Sequence, residues 1–329
     1  MSILVISRRL FLCLLGLSFL LLAACGQGQS GGSAVQSSPT PTPTVVRDIY
    51  GTPVVFPKTA PQRLISLVPS MSEILAALHL ESRVVAVDYY TDYPAQLTRL
   101  PRISDANGNY NVERIVALHP DLVLSSGGLT EKYDAQLARL GLHVVDLPDN
   151  TIALMLAEIQ TVGRLTFTES TANALVKQLQ QRIAQIRQAV KGTTPPTVML
   201  EADDSTPGKP YVFGGGTFGD ELLQDANAIN VFHNNTSNGG YPQVTDEAVI
   251  RANPQYIILT EDPRYGGDPQ LVYRRPNWNQ ITAVKLHHVY HLNTDLMQRP
   301  GPRLVDGLQC LAQLLHPQSF SGSLPAYCQ

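Results

Sequence analysis

The sequence predicts an α/β protein with two similar halves on either side of one long helix. Between residues 168 and 191, apolar side chains recur at steps of three and four, the spacing of one helical face, while polar side chains occupy the other. On both sides of this stretch, short apolar segments alternate with amphipathic ones, a pattern typical of a parallel sheet covered by helices. We therefore expect two three-layer parallel-sheet lobes joined by one long backbone helix.

The chain begins with an export signal, which we assign to residues 1–24. Arg8 and Arg9 precede an almost wholly apolar run that is too short and wrongly flanked for a membrane span. The signal ends in Leu-Ala-Ala before Cys25, which resembles the bacterial lipobox and implies cleavage before Cys25 and lipidation of its thiol. The arginine pair also resembles a twin-arginine signal, so two export routes stay open.

Residues 25–44 are predicted to form a flexible tether. Residues 26–44 carry no charge and no aromatic ring, and their Gly, Ser, Gln, Pro and Thr side chains cannot bury enough apolar surface to order the segment. A lipid anchor followed by such a tether places the folded body outside the cytoplasm, at the cell surface or in the periplasm. The protein then contacts the membrane through its lipid alone.

The net charge of the mature chain argues against binding to nucleic acid. Loss of Arg8 and Arg9 with the signal lowers Lys plus Arg from 24 to 22 against 27 Asp plus Glu, so the mature chain carries a formal charge of −5. An acidic chain without a basic stripe is not expected to bind nucleic acid.

Cys310 and Cys328 are available for a disulfide, which would attach the tail, residues 318–329, to the last helix. Whether this disulfide forms stays open.

The first lobe is assigned to residues 45–166. It opens with two short strands predicted within residues 48–56, on either side of a glycine turn. Strands and helices then alternate along the chain. The predicted strands are 63–68, 84–88, 122–126 and 143–147, and the predicted helices are 69–80, 112–118, 132–140 and 151–164.

The linking helix is assigned to residues 167–192, and the second lobe, residues 193–317, repeats the plan. Its predicted strands are 197–202, 256–260 and 288–292, and its predicted helices are 218–225, 245–251 and 302–315. Glu113 and Glu247 correspond between the lobes, since each lies near a helix start, seven residues before a proline and an apolar strand. A first-turn acid stabilises a helix by about 0.3 to 1 kcal/mol, which explains one such residue; a matched pair indicates a function.

Five motifs between Val45 and Pro317 carry a family resemblance. They are RLISLVPSMSE at 63–73, DYP at 92–94, NVERIVALHPD at 111–121, YPQVTDE at 241–247 and RPGPR at 299–303. Together they resemble the substrate-binding lipoproteins of ABC importers for cobalamin and iron chelates, a periplasmic-binding family with a rigid helical backbone. The resemblance implies that the ligand is held in the cleft between the lobes.

The same resemblance implies partners. In the family, one glutamate at the tip of each lobe docks onto arginines of the membrane permease, and the motifs assign this role to Glu113 and Glu247. We expect a monomer that works with a permease dimer and its ATPase, with no catalytic residue, no resident metal and no cofactor beyond its ligand. An extracytoplasmic hydrolase is the weaker alternative, because the sequence offers no Gly-x-Ser-x-Gly nucleophile elbow.

The resemblance also implies ligand contacts. Tyr90 aligns with the ligand-stacking tyrosine of the cobalamin receptors, Tyr211 falls near an aromatic wall position, and Tyr241 occupies the place of a tryptophan. Asp295 and Arg299 match polar contacts to the ligand's side-chain amides. For each tyrosine, packing in the core with its hydroxyl satisfied is the open alternative.

Two departures from the family pattern leave the identity of the ligand open. The chain has one tryptophan, Trp278, and the first-lobe loop around residues 107–110 lacks an aromatic residue at the position where the resemblance leads us to expect one. Cobalamin is therefore the first expectation, and another corrinoid, haem or a ferric siderophore stays a rival.

Overall fold

The computed structural model describes residues 45–329; the predicted signal, the tether and Cys25 lie outside the described residues. The first lobe contains a four-stranded sheet, all parallel, in the order β2-β1-β3-β4. Its strands are β1 (Leu64–Ser66), β2 (Val84–Val87), β3 (Leu122–Ser126) and β4 (Val144–Leu147). Its helices are α1 (Pro69–Ala77), α2 (Val112–Ala117), α3 (Glu131–Arg139) and α4 (Ile152–Thr166).

Helices cover both faces of this sheet, because consecutive strand side chains point to opposite faces. Leu64 belongs to a core formed with α1 and α4, whereas its neighbour Ile65 belongs to a separate core with Ile115 of α2 and Leu137 of α3. The predicted three-layer arrangement is thus present in the first lobe.

The long helix is α5 (Glu169–Val190), 22 residues or about 33 Å. Its buried face consists of the apolar positions that the sequence periodicity predicted: Ala172, Val176, Leu179, Ile183, Ile186 and Val190. The chain leaves the helix through Gly192, whose φ of +82° is a backbone conformation that glycine adopts readily.

The second lobe contains a five-stranded sheet in which β5 pairs with β6, β7 and β8, and β8 pairs with β9. All pairs are parallel except β5 with β6. The strands are β5 (Thr197–Asp203), β6 (Tyr211–Val212), β7 (Ile229–Asn230), β8 (Tyr256–Leu259) and β9 (Val289–His291). The helices are α6 (Phe218–Asp225), α7 (Asp246–Ala252), α8 (Pro269–Val272), α9 (Thr282–Lys285), α10 (Thr294–Met297) and α11 (Leu304–Leu315).

One core runs through both lobes along the long helix. It includes Leu124 of the first sheet, Leu179 of α5, Leu200 of the second sheet and Leu308 of α11. The far face of the second sheet has its own core around the fully buried Trp278. The long helix is therefore packed into both lobes, and the predicted fold class is confirmed.

The C-terminal tail is attached covalently to the last helix. Cys310 of α11 and Cys328 form a disulfide with a Cα–Cα distance of 5.5 Å. At the other end of the described chain, the two strands expected within residues 48–56 are absent; a single bridge pairs Arg47 with Pro53. Between residues 45 and 329, no helix has the length and apolar character needed to cross a bilayer.

Candidate ligand-binding site

A cavity of about 510 Å³ opens between the lobes, where loops that follow the carboxyl ends of strands from both sheets meet. This is the usual position of a ligand site in parallel α/β sheets, and the volume is within the range of small-molecule pockets. Three of the five residues predicted to bind ligand line it: Tyr90 after β2, and Asp295 and Arg299 after β9.

Arg299 connects the two lobes inside this cavity. Its Nη1 lies 2.6 Å from Oδ1 of Asp92 in the first lobe, and its Nη2 lies 2.7 Å from Oδ1 of Asp295 in the second. Burial acts against the charge on Asp92, but the hydrogen bond and charge of Arg299 outweigh it and lower the pKa of Asp92. The predicted polar pair is thus a three-residue ionic cluster across the cleft.

A second ion pair crosses the lobes behind the first. Arg303, at the start of α11, lies 2.5 Å from Oε1 of Glu73 in α1, and its guanidinium also stacks 4.2 Å from the ring centre of Tyr93. The Glu73 side chain is only 1% exposed, and burial raises its pKa although the hydrogen bond from Arg303 opposes this. Glu73 and Arg303 both lie in motifs recognised in the sequence, but no role was predicted for either.

Tyr90 lines the cavity, and its hydroxyl is hydrogen-bonded within the first lobe. The hydroxyl donates a hydrogen bond of 2.6 Å to the carbonyl of Ala106, and the ring meets Tyr89 edge-to-face at 5.1 Å. The hydroxyl is thus bonded within its own lobe, and 49% of the Tyr90 surface is exposed. Its aromatic ring is therefore available to a ligand. Tyr265, in the loop after β8, lines the same cavity and is 69% exposed; sequence reasoning missed it.

Tyr211 and Tyr241, both in the second lobe, do not line this cavity. Tyr241 is half-buried and packs against Phe213 at 5.3 Å between ring centres, and burial, together with the charge of Asp149, raises its pKa. Tyr211 begins β6 and forms a backbone bridge with Gln243. Tyr241 thus packs against the core, and the predicted ligand contacts of Tyr211 and Tyr241 remain predictions.

The lobes also touch at a second place, next to the start of α4. Asn150 donates a hydrogen bond of 2.9 Å from Nδ2 to the carbonyl of Gly216, and the backbone N–H of Ile152 donates one of 2.5 Å to the carboxylate of Glu221. A carboxylate from the second lobe thus satisfies a free N–H at the start of a first-lobe helix. Polar contacts therefore join the lobes at two separate places.

Glu113 and Glu247 are exposed and occupy matching positions. Each is the second residue of its helix, and the residue before the helix caps it: Asn111 accepts a hydrogen bond at α2 and Thr245 accepts one at α7. Neither lines the cavity. Their docking role remains a prediction. Within residues 45–329, no group of three or more His, Cys, Asp or Glu side chains is arranged to hold a metal ion.

Two α/β lobes on one long helix, with a lined cleft between them, define a two-lobed ligand-binding protein. The family model of the periplasmic binding proteins matches residues 64–296, and the chain belongs to this family.

Proteins of similar sequence and structure support this family membership. An uncharacterized ABC transporter substrate-binding lipoprotein of Bacillus subtilis, YvrC, is 31% identical over 92% of this chain and 96% of its own length. A vitamin B12-binding protein of Photorhabdus laumondii is 29% identical, over 78% of this chain and 89% of its own. The crystal structure of a periplasmic heme-binding protein from Pseudomonas aeruginosa superposes with a TM-score of 0.68 at 26% identity, covering 80% of this chain and 96% of that one. These relatives are binding proteins rather than enzymes.

Proposed function

We propose that this protein is the extracytoplasmic receptor of an ABC importer, that it captures cobalamin or a related corrinoid in the cleft between its lobes, and that it delivers this ligand to the permease. Capture is non-covalent and involves no catalytic residue. The observation that carries the proposal is the position of Tyr90, which lines the same cavity as the polar cluster of Asp295 and Arg299 and whose hydroxyl is bonded to Ala106.

The chemistry of the cavity supports a flat ligand with polar groups at its edge. Tyr90 and Tyr265 supply aromatic surface from opposite lobes, which suits a corrin or porphyrin ring. Asp295 and Arg299 supply a hydrogen-bond acceptor and donors that match side-chain amides. The vitamin B12-binding relatives favour a corrinoid.

Two rivals remain within the same class of receptor. The heme-binding structural neighbour supports haem as the alternative ligand, and the structure of a possible iron-binding protein from Staphylococcus epidermidis, at 27% identity, supports an iron chelate. A hydrolase is the weaker rival, because the family is one of binding proteins.

Delivery requires a membrane partner. Substrate-binding proteins of this class work with a permease and its ATPase. We assign the docking contacts to Glu113 and Glu247, which are exposed at the starts of α2 and α7 and free of the ligand cavity. Lipidation of Cys25 would hold the receptor on the outer side of the cell membrane, as the lipoprotein relative supports.

The direct test is a titration of the purified full-length protein with cyanocobalamin, haem, a ferric hydroxamate and a ferric catecholate. We expect saturable cyanocobalamin binding below micromolar concentration, with a change in the corrin absorption spectrum. Binding of only the ferric siderophores, or of haem alone, would overturn the corrinoid assignment while leaving the class of receptor intact. Turnover of any of these ligands would favour the enzyme rival.

A further inference from the structure

The ligand cavity carries more acidic than basic side chains. Four carboxylates line it, from Asp92, Glu261, Asp262 and Asp295, against two guanidiniums, from Arg264 and Arg299. Its lining, which belongs wholly to the described part of the chain, contains no lysine. An anionic ligand would enter a site whose ionised side chains sum to negative charge.

Both guanidiniums are already engaged by carboxylates of the cavity itself. Arg264 forms a forked pair with Asp262, with Nε 3.0 Å from Oδ1 and Nη2 2.6 Å from Oδ2. Arg299 pairs with Asp92 and Asp295 at 2.6 and 2.7 Å. A ligand carboxylate or catecholate would therefore meet guanidiniums whose charge is already balanced by protein carboxylates, and its own negative charge would lie beside theirs.

The remaining carboxylate is that of Glu261, which forms no ion pair with any side chain of residues 45–329. It accepts a hydrogen bond of 3.1 Å from the backbone N–H of Asp204. The nearby guanidinium of Arg275 pairs instead with Glu201 and with the carboxylate of Asp204. His291, which also lines the cavity, offers little positive charge at neutral pH, because burial lowers its pKa.

We propose that the cleft discriminates between chelates by the charge of their edge: it accepts neutral or cationic edges that carry amides or hydroxyls and rejects edges that carry carboxylates or catecholates. This deepens the proposed function and rests on it. An anionic edge brings a charge that the paired cations of the cavity do not balance and that faces like charges, which disfavours its binding. An amide edge, by contrast, donates to the carboxylates and accepts from the guanidiniums without breaking a pair.

The test compares pairs of ligands whose main difference is the charge of their edge. The first pair is cyanocobalamin and its monocarboxylate, in which one propionamide is hydrolysed; the second is ferric protoporphyrin IX and its dimethyl ester. We expect each acid to bind the full-length protein about tenfold or more weakly than its neutral partner. In the variant Glu261→Gln this difference should shrink, whereas Glu169→Gln, at an exposed position at the start of α5, should leave it unchanged.

The outcomes separate this inference from the proposed function. If neither corrinoid binds but the neutral porphyrin ester, or a neutral ferric hydroxamate, binds in preference to haem and a ferric catecholate, the corrinoid assignment fails and the charge discrimination stands. Equal or tighter binding of the acids overturns the charge discrimination and leaves the corrinoid assignment intact. Absence of binding by all of these probes overturns both.

Discussion

Glu73 and Arg303 are 230 positions apart in the chain, yet the Arg303 guanidinium lies 2.5 Å from the Glu73 carboxylate and joins the first helix of one lobe to the last helix of the other. With Arg299 paired to Asp92 and 3.6 Å from the same Glu73 carboxylate, two neighbouring ion pairs join the lobes. The long helix and these pairs together fix how the two lobes face each other.

The Glu73–Arg303 pair should therefore contribute to stability. Arg303→Met removes the hydrogen-bonded cation of a carboxylate with 1% exposure and leaves it only Arg299, at 3.6 Å, so we expect it to lower the free energy of unfolding by about 1.5 to 3 kcal/mol. The double variant Glu73→Gln/Arg303→Met should recover part of the loss, since no buried charge is then left unpaired. Chemical denaturation of the unaltered protein, Glu73→Gln, Arg303→Met and the double variant measures this cycle. A loss under about 0.5 kcal/mol in Arg303→Met would mean that the pair is solvated.

Asp146 should make the protein less stable as pH rises. Burial, and the neighbouring carboxylate of Asp134, raise its pKa to about 8, far above the ordinary value of 3.8. Its protonated form is favoured in the folded state, so this contribution is complete below about pH 4 and is lost as pH rises to about 8. Asp146→Asn, which can still accept from the backbone N–H of Gly128, should raise the melting temperature more at pH 8.5 than at pH 5. An equal shift at both pH values would contradict this.

Glu261 should make the binding of anionic chelates sensitive to pH. Burial, together with Asp203 and Asp204, raises its pKa to about 7, so its side chain is neutral below this pH and charged above it. We expect haem to bind more weakly at pH 8 than at pH 6, while the affinity for neutral cyanocobalamin changes less. Titrations at both pH values measure the difference. In Glu261→Gln the haem affinity should lose this dependence, and a slope that persists in the variant would assign it to another group.

Tyr90 should act through its ring rather than its hydroxyl. The hydroxyl is bonded to the carbonyl of Ala106, outside the cavity, so Tyr90→Phe should keep most of the affinity for cyanocobalamin. Tyr90→Ala removes the aromatic wall and should weaken binding about tenfold. Tyr211→Ala is the matched comparison, because Tyr211 does not line this cavity and should matter less. Equal losses from Tyr90→Ala and Tyr211→Ala would move the ligand to another part of the cleft.

The docking role of the two helix-start glutamates can be separated from ligand capture. Charge reversal at Glu113 and Glu247 together should abolish uptake into cells, because two carboxylates at a fixed separation would set the orientation on the permease. Ligand affinity and melting temperature should stay near those of the unaltered protein, since both residues are exposed and outside the cavity. Unchanged transport would refute the assignment.

The long elements were predictable because their periodicity spans several turns. The helix expected at residues 168–191 is observed at Glu169–Val190, and the strand 122–126 and the helix 218–225 were predicted at their observed bounds. The strands β6 and β7 and the four-residue helices α8, α9 and α10 were missed, because two to four residues carry no measurable period. In the same way, a glycine turn between apolar residues predicted strands at 48–56 that the structure replaces with one bridge.

The site was predictable only in part, for a different reason. Sequence motifs named Tyr90, Asp295 and Arg299, and these share one cavity. No local pattern indicated that Glu73 would meet Arg303, because that pairing depends on how two lobes are placed. Nor does a pattern reveal the acidic excess of the cavity, to which Glu261 contributes from a loop outside every recognised motif.

The central claim is that the cleft captures a corrinoid with a neutral edge, and a competition titration tests it most directly. The full-length protein, saturated with ferric protoporphyrin IX or left free, is titrated with cyanocobalamin while absorption reports each chromophore. We predict that cyanocobalamin binds the free protein with sub-micromolar affinity and displaces any bound haem. In Tyr90→Ala the affinity for cyanocobalamin should be lower. Haem that resists displacement by excess cyanocobalamin, with no corrinoid bound, would contradict the account.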